Sequence, residues 1–519
     1  MKIKLLLILQ FIILNSVYSQ NGVLDPTFGN NGITVTDVSN NSVNDAGYSV
    51  LVKDNGAIIV TGYSTNTSGN KDFALVQYDP NGLIDNSFGT NGIVLLDING
   101  FDDEAISSVL QSDGKIITVG YTNNADKDII VARFNSNGSL DTSYATNGIY
   151  TYDSGTNDSA ETLAISPDDK IIIGCEISNN YGVIKITNTG INDTTFGSNG
   201  IVTTNLGGVD YIGDIKLQSD GKILITGTSS KNSTGDGDIY DKTLIRYNTD
   251  GTLDTSFNST GIIFTSYESG GNDGGYSIII QTDGKIIVCG SSYIGANDDN
   301  FALTRYNNDG SIDSTFGNNG TTITDFGSSL DLCFSSVLQN DGKIILGGYI
   351  VNGTTFDFDF GLARYDSNGI LDTSFGTNGI TITDINNNSK DYGLSLAFHQ
   401  DDKVLIAGNS RITGGTYDFT IARYNIDGNL GVDDFMNNPK GYLIYPNPTS
   451  ESISIINRAL NTDKVDIEIY SIEGKKIKTI TDYNFNYIQN ISLSNLTKGV
   501  YLVKILDNST SESLKIIKK

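Results

Sequence analysis

The chain has 519 residues, 18% of them charged, and a formal net charge of −27 at pH 7. The low charged fraction argues against disorder. The surplus of acidic residues disfavours nucleic acid and anionic lipid as partners. The single histidine, His399, excludes histidine-based catalytic triads and multi-histidine metal sites.

The first nineteen residues have the pattern of an export signal. Two lysines precede an apolar run from Leu5 to Leu14. Val17 and Ser19 then fit the small-residue positions of a signal-peptide cleavage site. We expect a signal peptide over residues 1–19 and a mature chain that begins at Gln20. The run is too short to span a bilayer, and no later segment reaches eighteen apolar residues, so no transmembrane segment is expected.

A ten-residue motif, LDPTFGNNGI at Leu24–Ile33, returns throughout the next 400 residues. Its aspartate recurs at spacings of 52 to 61 residues, at Asp25, Asp85, Asp141, Asp193, Asp254, Asp313 and Asp372. Because the motif joins two strand-like runs, we expect its Phe or Tyr to fill a hydrophobic layer and its Asp and Ser or Thr to bond the turn backbone. A residue that is needed seven times is interpreted as structural.

Each of the seven units has two further landmarks. One is a tight-turn signal before an apolar run, as in QSDGKIITVG, and the other is an alternating run such as FALTRY that ends in a basic and an aromatic residue. The third unit has degenerate forms of both, SPDDKIIIG and VIKIT. Together with the run after each motif, these landmarks predict four short strands per unit, which is typical of propeller blades.

The order of landmarks within a unit is similar to that of WD-repeat blades and sets the register. The chain opens with an outer strand at Ile33–Asp37, and the last unit stops after FTIARY at Tyr424 without one. The predicted fold is therefore an all-β, seven-bladed β-propeller over residues 20–430, closed by an N-terminal outer strand that covers an otherwise exposed edge. The FGxNG, DGKI and RY landmarks resemble the delta-60 repeat family of bacterial propellers, which implies this fold and brings no catalytic residues.

The sequence pattern changes after the last blade. Residues 431–443 read as a linker, and residues 444–519 alternate like the strands of a small β-sandwich. This region resembles the type A C-terminal sorting domain of the type IX secretion system of Bacteroidota. The matching residues are Tyr445, Pro446, Asn447, Pro448, Gly474, Lys475, Leu496, Gly499, Tyr501, Lys515 and Lys518.

The resemblance of the tail implies a route. It implies transit through the periplasm, recognition of the tail by the type IX secretion machinery, and a final location at the cell surface or outside the cell. The alternative is an ordinary accessory sandwich without a role in export.

An aspartate begins the innermost strand of every predicted blade. These residues are Asp45, Asp103, Asp158, Asp210, Asp273, Asp331 and Asp391. The register places seven carboxylates around one mouth of the central channel. One interpretation is that each caps its own turn by accepting backbone N–H groups. The other is that the ring also attracts a divalent cation such as Ca²⁺, because hard cations prefer oxygen ligands. No other cofactor is expected.

Three classes of function fit the sequence. The first is a secreted or cell-surface propeller that binds a glycan or a surface protein without catalysis. The second is a glycan-degrading enzyme that uses carboxylates in the channel. The third is a structural surface protein without a ligand. The loops between second and third strands vary most between units, so we expect individual function to lie there.

Overall fold

A computed structural model describes residues 21–40, 43–230, 240–267, 271–293, 299–328, 330–351, 356–386, 389–399, 403–412, 415–426, 442–445, 449, 452–457, 464–471, 474–484, 488–506 and 511–518. The chain divides between Asp427 and Gly428 into two compact units. The described residues form strands and turns and contain no helix, which confirms the all-β prediction. The predicted signal peptide and residues 431–441 of the predicted linker lie outside the described residues.

The first unit contains seven four-stranded antiparallel groups within its described part, here named blades 1 to 7. Two strands precede blade 1: β1 (Val23–Leu24) and β2 (Ile33–Thr36). Blade 1 has β3 (Asp45–Val52), β4 (Ile58–Thr65), β5 (Lys71–Tyr78) and β6 (Ile93–Leu96), and blade 2 has β7 (Asp102–Leu110), β8 (Ile116–Asn124), β9 (Asp126–Phe134) and β10 (Ile149–Tyr152). Blade 3 has β11 (Asp158–Ile165), β12 (Ile171–Ile177), β13 (Asn180–Ile186) and β14 (Ile201–Thr204), and blade 4 has β15 (Asp210–Leu217), β16 (Ile223–Ser230), β17 (Tyr240–Tyr247) and β18 (Ile262–Thr265).

The remaining blades follow the same strand order. Blade 5 has β19 (Ser277–Ile280), β20 (Ile286–Tyr293), β21 (Asp299–Tyr306) and β22 (Thr321–Thr324), and blade 6 has β23 (Leu330–Leu338), β24 (Ile344–Val351), β25 (Phe358–Tyr365) and β26 (Ile380–Thr383). Blade 7 has β27 (Asp391–Phe398), β28 (Lys403–Arg411) and β29 (Tyr417–Asn425), with β2 as its outer strand. One parallel bridge, Asp299 to Leu330, also links blades 5 and 6.

The N-terminal strands lie on the last strand of the propeller. Strand β2 pairs antiparallel with β29, with Ile33 opposite Ala422, and β1 continues the pairing with Val23 opposite Asn425. The first strand of each blade packs on the first strand of the next, and β27 packs on β3. Contacts therefore run from blade 1 to blade 7 and back to blade 1.

The hydrophobic core lies between neighbouring blades. One cluster joins Ile117 and Val119 of blade 2 to Ile171 and Ile173 of blade 3, and equivalent clusters occur around the unit. Both faces of a middle strand are buried, which explains why the apolar runs after the tight turns are continuous rather than alternating. The blades are stabilised mainly by this burial.

The hairpin between first and second strands depends on one left-handed residue. Gly56 has φ +82° and its N–H donates to Lys53 O at 2.8 Å. The third unit has Asp169 at this position, with φ +59°. Aspartate is among the few residues other than glycine that adopt this conformation readily, so the degenerate unit keeps the turn.

The second unit contains two sheets among its described residues. Its strands are β30 (Tyr442–Tyr445), β31 (Ser452–Asn457), β32 (Lys464–Ser471), β33 (Lys476–Asn484), β34 (Ile488–Ser492), β35 (Gly499–Leu506) and β36 (Ser511–Lys518). One sheet has the order β30-β31-β34 and the other β33-β32-β35-β36. Ile453 and Ile491 of the first sheet share a core with Ile467 and Val503 of the second. The second unit is therefore the predicted small β-sandwich.

Candidate functional site

The repeated ten-residue motif forms a joint between blades. In blade 5, Arg305 Nε lies 2.8 Å from Asp313 Oδ2, and the guanidinium lies 4.5 Å from the centre of the Phe316 ring. Arg305 Nη1 also donates to Ser367 O in blade 6, at 2.8 Å. Thr315 donates its N–H and hydroxyl to Asp313 Oδ1 at 3.1 and 2.6 Å. The motif therefore holds a corner and fastens it to the next blade.

The joint recurs with small variations. Arginine meets the motif aspartate in Arg133–Asp141, Arg246–Asp254, Arg364–Asp372 and Arg423–Asp25. In blade 1 Gln77 Nε2 donates to Asp85 at 2.7 Å, and in blade 3 Lys185 lies 3.9 Å from Asp193. The motif aromatic is buried at every position. The structural interpretation of the motif is confirmed. The basic residue of the RY landmark is structural too, because it pairs with the motif aspartate.

The seven aspartates that lie at, or just before, the starts of the first strands are buried caps. None is more than 1% exposed. Asp45 Oδ2 accepts the N–H groups of Val38 and Ser39 at 2.8 and 3.0 Å. The equivalent bonds join Ile98 to Asp103, Ser154 to Asp158, Leu206 to Asp210, Tyr267 to Asp273, Phe326 to Asp331 and Ile385 to Asp391, at 2.6 to 3.2 Å.

These bonds decide how the aspartates are used. Each carboxylate holds the segment that leaves the outer strand of the preceding blade, so the capping interpretation is borne out by the contacts. The seven carboxylates do not form an open ring at a channel mouth, because burial and the backbone N–H groups enclose them. The register was sufficient to place the residues on the first strands but not to decide which way their side chains face.

Six aromatic side chains form a partly exposed cluster on blades 5, 6 and 7, which we name the aromatic surface. Tyr349 stacks on Phe334 and Phe358, with ring centres 5.4 and 5.6 Å apart. Tyr392 meets Tyr349 and Phe358 edge-on, at 5.0 Å each. The full set is Tyr276, Phe334, Tyr349, Phe358, Tyr392 and Tyr417.

The aromatic surface lies at the end of the blades where the variable loops are. Phe358 and Tyr417 begin third strands, Tyr392 follows the start of a first strand, and Phe334 occupies a β-bulge between Cys333 and Ser335. A bulge turns a side chain away from the regular alternation. Sequence reasoning missed this cluster, because its members come from three units. The only signal was Phe358 within the variable loop IVNGTTFDFD.

Two tyrosines of this surface, Tyr276 and Tyr349, keep their protons at neutral pH. Burial raises the pKa of Tyr276 and of Tyr349 to about 12. Lys390 places its ammonium 4.8 Å from the centre of the Phe358 ring, which adds a positive group at the edge of the cluster. The surface therefore offers apolar ring faces beside hydroxyl and ammonium donors.

Glu104 organises a second polar–aromatic cluster on blades 1 and 2. Its carboxylate accepts from the Tyr48 hydroxyl at 3.1 Å and from Lys71 Nζ at 2.6 Å. Lys71 also lies 4.3 Å from the centre of the Tyr63 ring, and Tyr48 and Tyr63 lie 5.9 Å apart. These contacts hold the rings in place at the same end of the blades as the aromatic surface.

Two glutamates of blade 3 lie close together. Glu161 occupies the β-bulge between Ala160 and Thr162, and Glu176 lies on β12. Burial and, to a smaller extent, the charge of Glu161 raise the pKa of Glu176 to about 8. Burial also raises the pKa of Glu161. A carboxyl group of this kind holds a proton near neutral pH.

The predicted sorting residues lie on the strands and one turn of the sandwich. Gly474, with φ +83°, closes the β32–β33 hairpin by donating its N–H to Ser471 O at 3.0 Å, and Lys475 follows it. Tyr501 is buried and Leu496 packs against the same core. Gly499 begins β35, and Lys515 and Lys518 lie on β36; Tyr445 ends β30, and Pro446, Asn447 and Pro448 are outside the described residues.

The fold and its joints define a repeat β-propeller that is followed by a sorting domain. Six segments match the family described as a domain of unknown function (DUF5122) beta-propeller, at residues 53–88, 111–144, 218–257, 281–316, 339–375 and 399–430. Residues 443–519 match the secretion system C-terminal sorting domain. These matches confirm both resemblances, that of the repeats and that of the tail. The third unit, with its degenerate landmarks, lies outside the matched segments.

Solved propellers of several kinds are similar to the chain. A protein of unknown function from Dyadobacter fermentans is 11% identical, with 76% of this chain and 100% of that chain covered and a TM-score of 0.42. The Nup133 β-propeller domain of Vanderwaltozyma polyspora is 12% identical, with coverage of 75% and 97% and a TM-score of 0.39. An α-L-arabinofuranosidase from Fusarium graminearum is 10% identical, with coverage of 81% and 99% and a TM-score of 0.37. A search of curated proteins gave no match.

The sorting domain indicates the route of the protein. It indicates export through type IX secretion to the cell surface or the extracellular space, with the secretion machinery as the partner that recognises the tail. Within the described part of the chain, no helix is long and apolar enough to span a membrane.

Proposed function

We propose that the exported propeller is a non-catalytic binding module for a glycan and that the aromatic surface is its contact surface. The observation that supports the proposal is the stacked and edge-on packing of Phe334, Tyr349, Phe358 and Tyr392 at the variable-loop end of the blades. Such rings are already held in place, so a ligand that stacks on them loses little side-chain entropy of the protein.

A glycan suits this surface better than a flat apolar partner. Sugar rings have C–H faces that pack on aromatic rings and hydroxyl groups that need hydrogen-bond partners. Tyr349 and Tyr392 have hydroxyls, and Lys390 has an ammonium group, beside the ring faces. The partner is neutral or basic, because the whole chain carries a net charge of −27.

Binding is tested with the purified chain and a panel of neutral and basic polysaccharides, by affinity electrophoresis and calorimetry. We expect at least one polysaccharide to bind and no reducing ends to be released. Tyr349→Ala and Tyr392→Ala should each weaken binding at least tenfold, whereas Tyr470→Ala, on the other unit, should leave it unchanged. Binding that survives both substitutions, or affinity for proteins only, would contradict the proposal.

A glycan-degrading enzyme is the second candidate, and one observation favours it. Glu161 and Glu176 are neighbours, and Glu176 keeps a proton near neutral pH, as a general acid must. Measurement of reducing ends over days with the unmodified chain and with Glu176→Gln separates the two candidates. Product release that Glu176→Gln abolishes would establish the enzyme and overturn the non-catalytic proposal.

A further inference from the structure

Three aspartates meet at each of three junctions between blades. At the junction of blades 7 and 1 they are Asp418, the second residue of β29, Asp37, which follows β2, and Asp45, which begins β3. One carboxylate oxygen of each lies within 4.8 Å of the others. The same positions and the same spacing recur in two other sets, Asp72, Asp97 and Asp103, and Asp359, Asp384 and Asp391.

Capping explains two aspartates of each set but not the one on the third strand. Besides the caps described above, the aspartates that follow the outer strands accept a backbone N–H at 2.6 to 3.2 Å, namely Asp37, Asp97 and Asp384. Between blades 3 and 4 the equivalent positions hold Asn180, Asn205 and Asp210, so two of the three carboxylates are missing there. Asp210 nevertheless accepts the Leu206 N–H at 3.2 Å and the Ser229 hydroxyl at 2.5 Å. The cap therefore forms without two further carboxylates beside it. Asp37 caps its own turn by accepting the Asn40 N–H at 2.7 Å, so the buried carboxylate of Asp418 is the one that needs another reason.

Asp418 is a buried carboxylate with one oxygen left over from the hydrogen bonds around it. The residue is 3% exposed, and its Oδ1 has no hydrogen-bond partner among the described residues. Asp359 at the second junction also has a buried Oδ1 without a partner in the described part of the chain. Burial of a carboxylate with neither a hydrogen bond nor a counter-ion is costly, so it is seldom retained without a purpose.

The electrostatics of the three sets also favours a bound cation. Burial and, to a smaller extent, the charges of Asp37 and Asp45 raise the pKa of Asp418 to about 6. Burial and the charges of neighbouring aspartates likewise raise the pKa of Asp359 to about 6 and that of Asp103 to about 7. A divalent cation among three such carboxylates removes the mutual repulsion.

We propose that each of these three sets, the junction triads, binds one calcium ion that fastens two neighbouring blades. Each triad offers oxygen ligands alone, which suit a hard cation and not a transition metal. Oxygens on opposite sides of one Ca²⁺ are about 4.6–5.2 Å apart, so the observed spacing accommodates one ion. Dissociation constants of about 10⁻⁴–10⁻³ M, usual for extracellular calcium modules, are expected.

The full chain is stripped with a chelator and titrated with CaCl₂ while its melting temperature and heat of binding are followed. Calcium should raise the melting temperature by about 2 °C per triad at saturating concentrations. Asp418→Asn should raise the melting temperature of the calcium-free protein, because it removes a buried charge, and reduce the calcium-dependent gain. The variant Asp72→Asn/Asp359→Asn/Asp418→Asn removes one carboxylate from every triad and should abolish the gain.

Asp325→Asn is the matched control. Asp325 follows β22 as Asp37 follows β2, but its junction has Asn300 in the place of Asp418. This variant should keep the full calcium-dependent gain. If calcium binds nowhere and shifts nothing, if the triple variant keeps the gain, or if Mg²⁺ stabilises the protein as strongly, the calcium assignment is overturned.

Discussion

Arg423 Nη2 lies 2.8 Å from Asp25 Oδ2, and the two residues come from opposite ends of the propeller sequence. Both side chains are almost fully buried, and Arg423 Nη1 also donates to Pro80 O in blade 1 at 2.7 Å. Arg423 further donates to His399 Nδ1 at 3.1 Å. One side chain therefore links the N-terminal segment, blade 7 and blade 1. The corner joint that connects other blades is formed here by residues from the two ends of the propeller sequence.

The first prediction follows from this joint. Deletion of Asn21–Asn40 removes β2 and Asp25, so the outer edge of blade 7 is exposed and the buried Arg423 loses the carboxylate with which it forms an ion pair. Hydrogen exchange followed by mass spectrometry should show loss of protection first in β29, with blade 3 unchanged. Loss of protection in blade 1 alone would contradict the role of these strands.

A second prediction concerns the packing of one blade on the next. Gly369 has φ +79°, and a Cβ added to it would lie 2.4–2.7 Å from carbons of the Phe316 ring, whereas a Cβ on Gly284, with φ +84°, would meet nothing within 4 Å. Both alanine variants have the strained backbone, but only Gly369→Ala has the clash. The free energy of unfolding should fall by about 1–3 kcal/mol more for Gly369→Ala than for Gly284→Ala. Denaturant titration measures both, and equal losses would show that Phe316 can move aside.

The third prediction is a pH dependence at the corner of blade 3. The Thr195 hydroxyl, together with Lys170 Nζ at 3.0 Å, lowers the pKa of Asp193 to about 2. A carboxylate whose folded pKa lies below its unfolded value contributes stability above pH 4, and the contribution is lost as the pH falls towards 2. The difference in free energy of unfolding between the unmodified chain and Asp193→Asn should therefore be constant above pH 5 and shrink below pH 4.

Thr195→Val is the companion measurement for this pH dependence. It removes the hydroxyl that donates to Asp193 Oδ1 at 2.6 Å, so the folded pKa of Asp193 should rise towards its unfolded value. The acid-induced loss of stability should then be smaller, and should end at a higher pH, than in the unmodified chain. An identical acid profile for the two proteins would show that Thr195 has no part in holding the charge.

The fourth prediction concerns export. A chain truncated after Asn438 lacks the sorting domain at residues 443–519 and should accumulate in the periplasm, while a reporter that carries those residues should leave the cell. Cell fractionation and immunoblotting measure both. Normal secretion of the truncated chain would contradict this role of the tail and would mean that the propeller contains the export signal.

Local patterns in the sequence are enough to predict the repeat, the strand content and the tail. Tight turns, alternating runs and corner motifs are local signals, because each is read within about ten residues and depends on glycine, aspartate and the spacing of apolar side chains. The same reasoning placed Asp45 and its equivalents on the first strands and assigned Phe316 and its equivalents to the interior.

Contacts between side chains of different blades became visible only in the folded structure. Asp37 and Asp418 are 381 residues apart, and the aromatic surface takes its rings from three units, so no local pattern relates them. The sequence also does not predict on which face of a sheet each side chain lies, because a single β-bulge changes that face. Contacts between distant strands depend on how the blades pack, and packing is a property of the whole ring rather than of any one repeat.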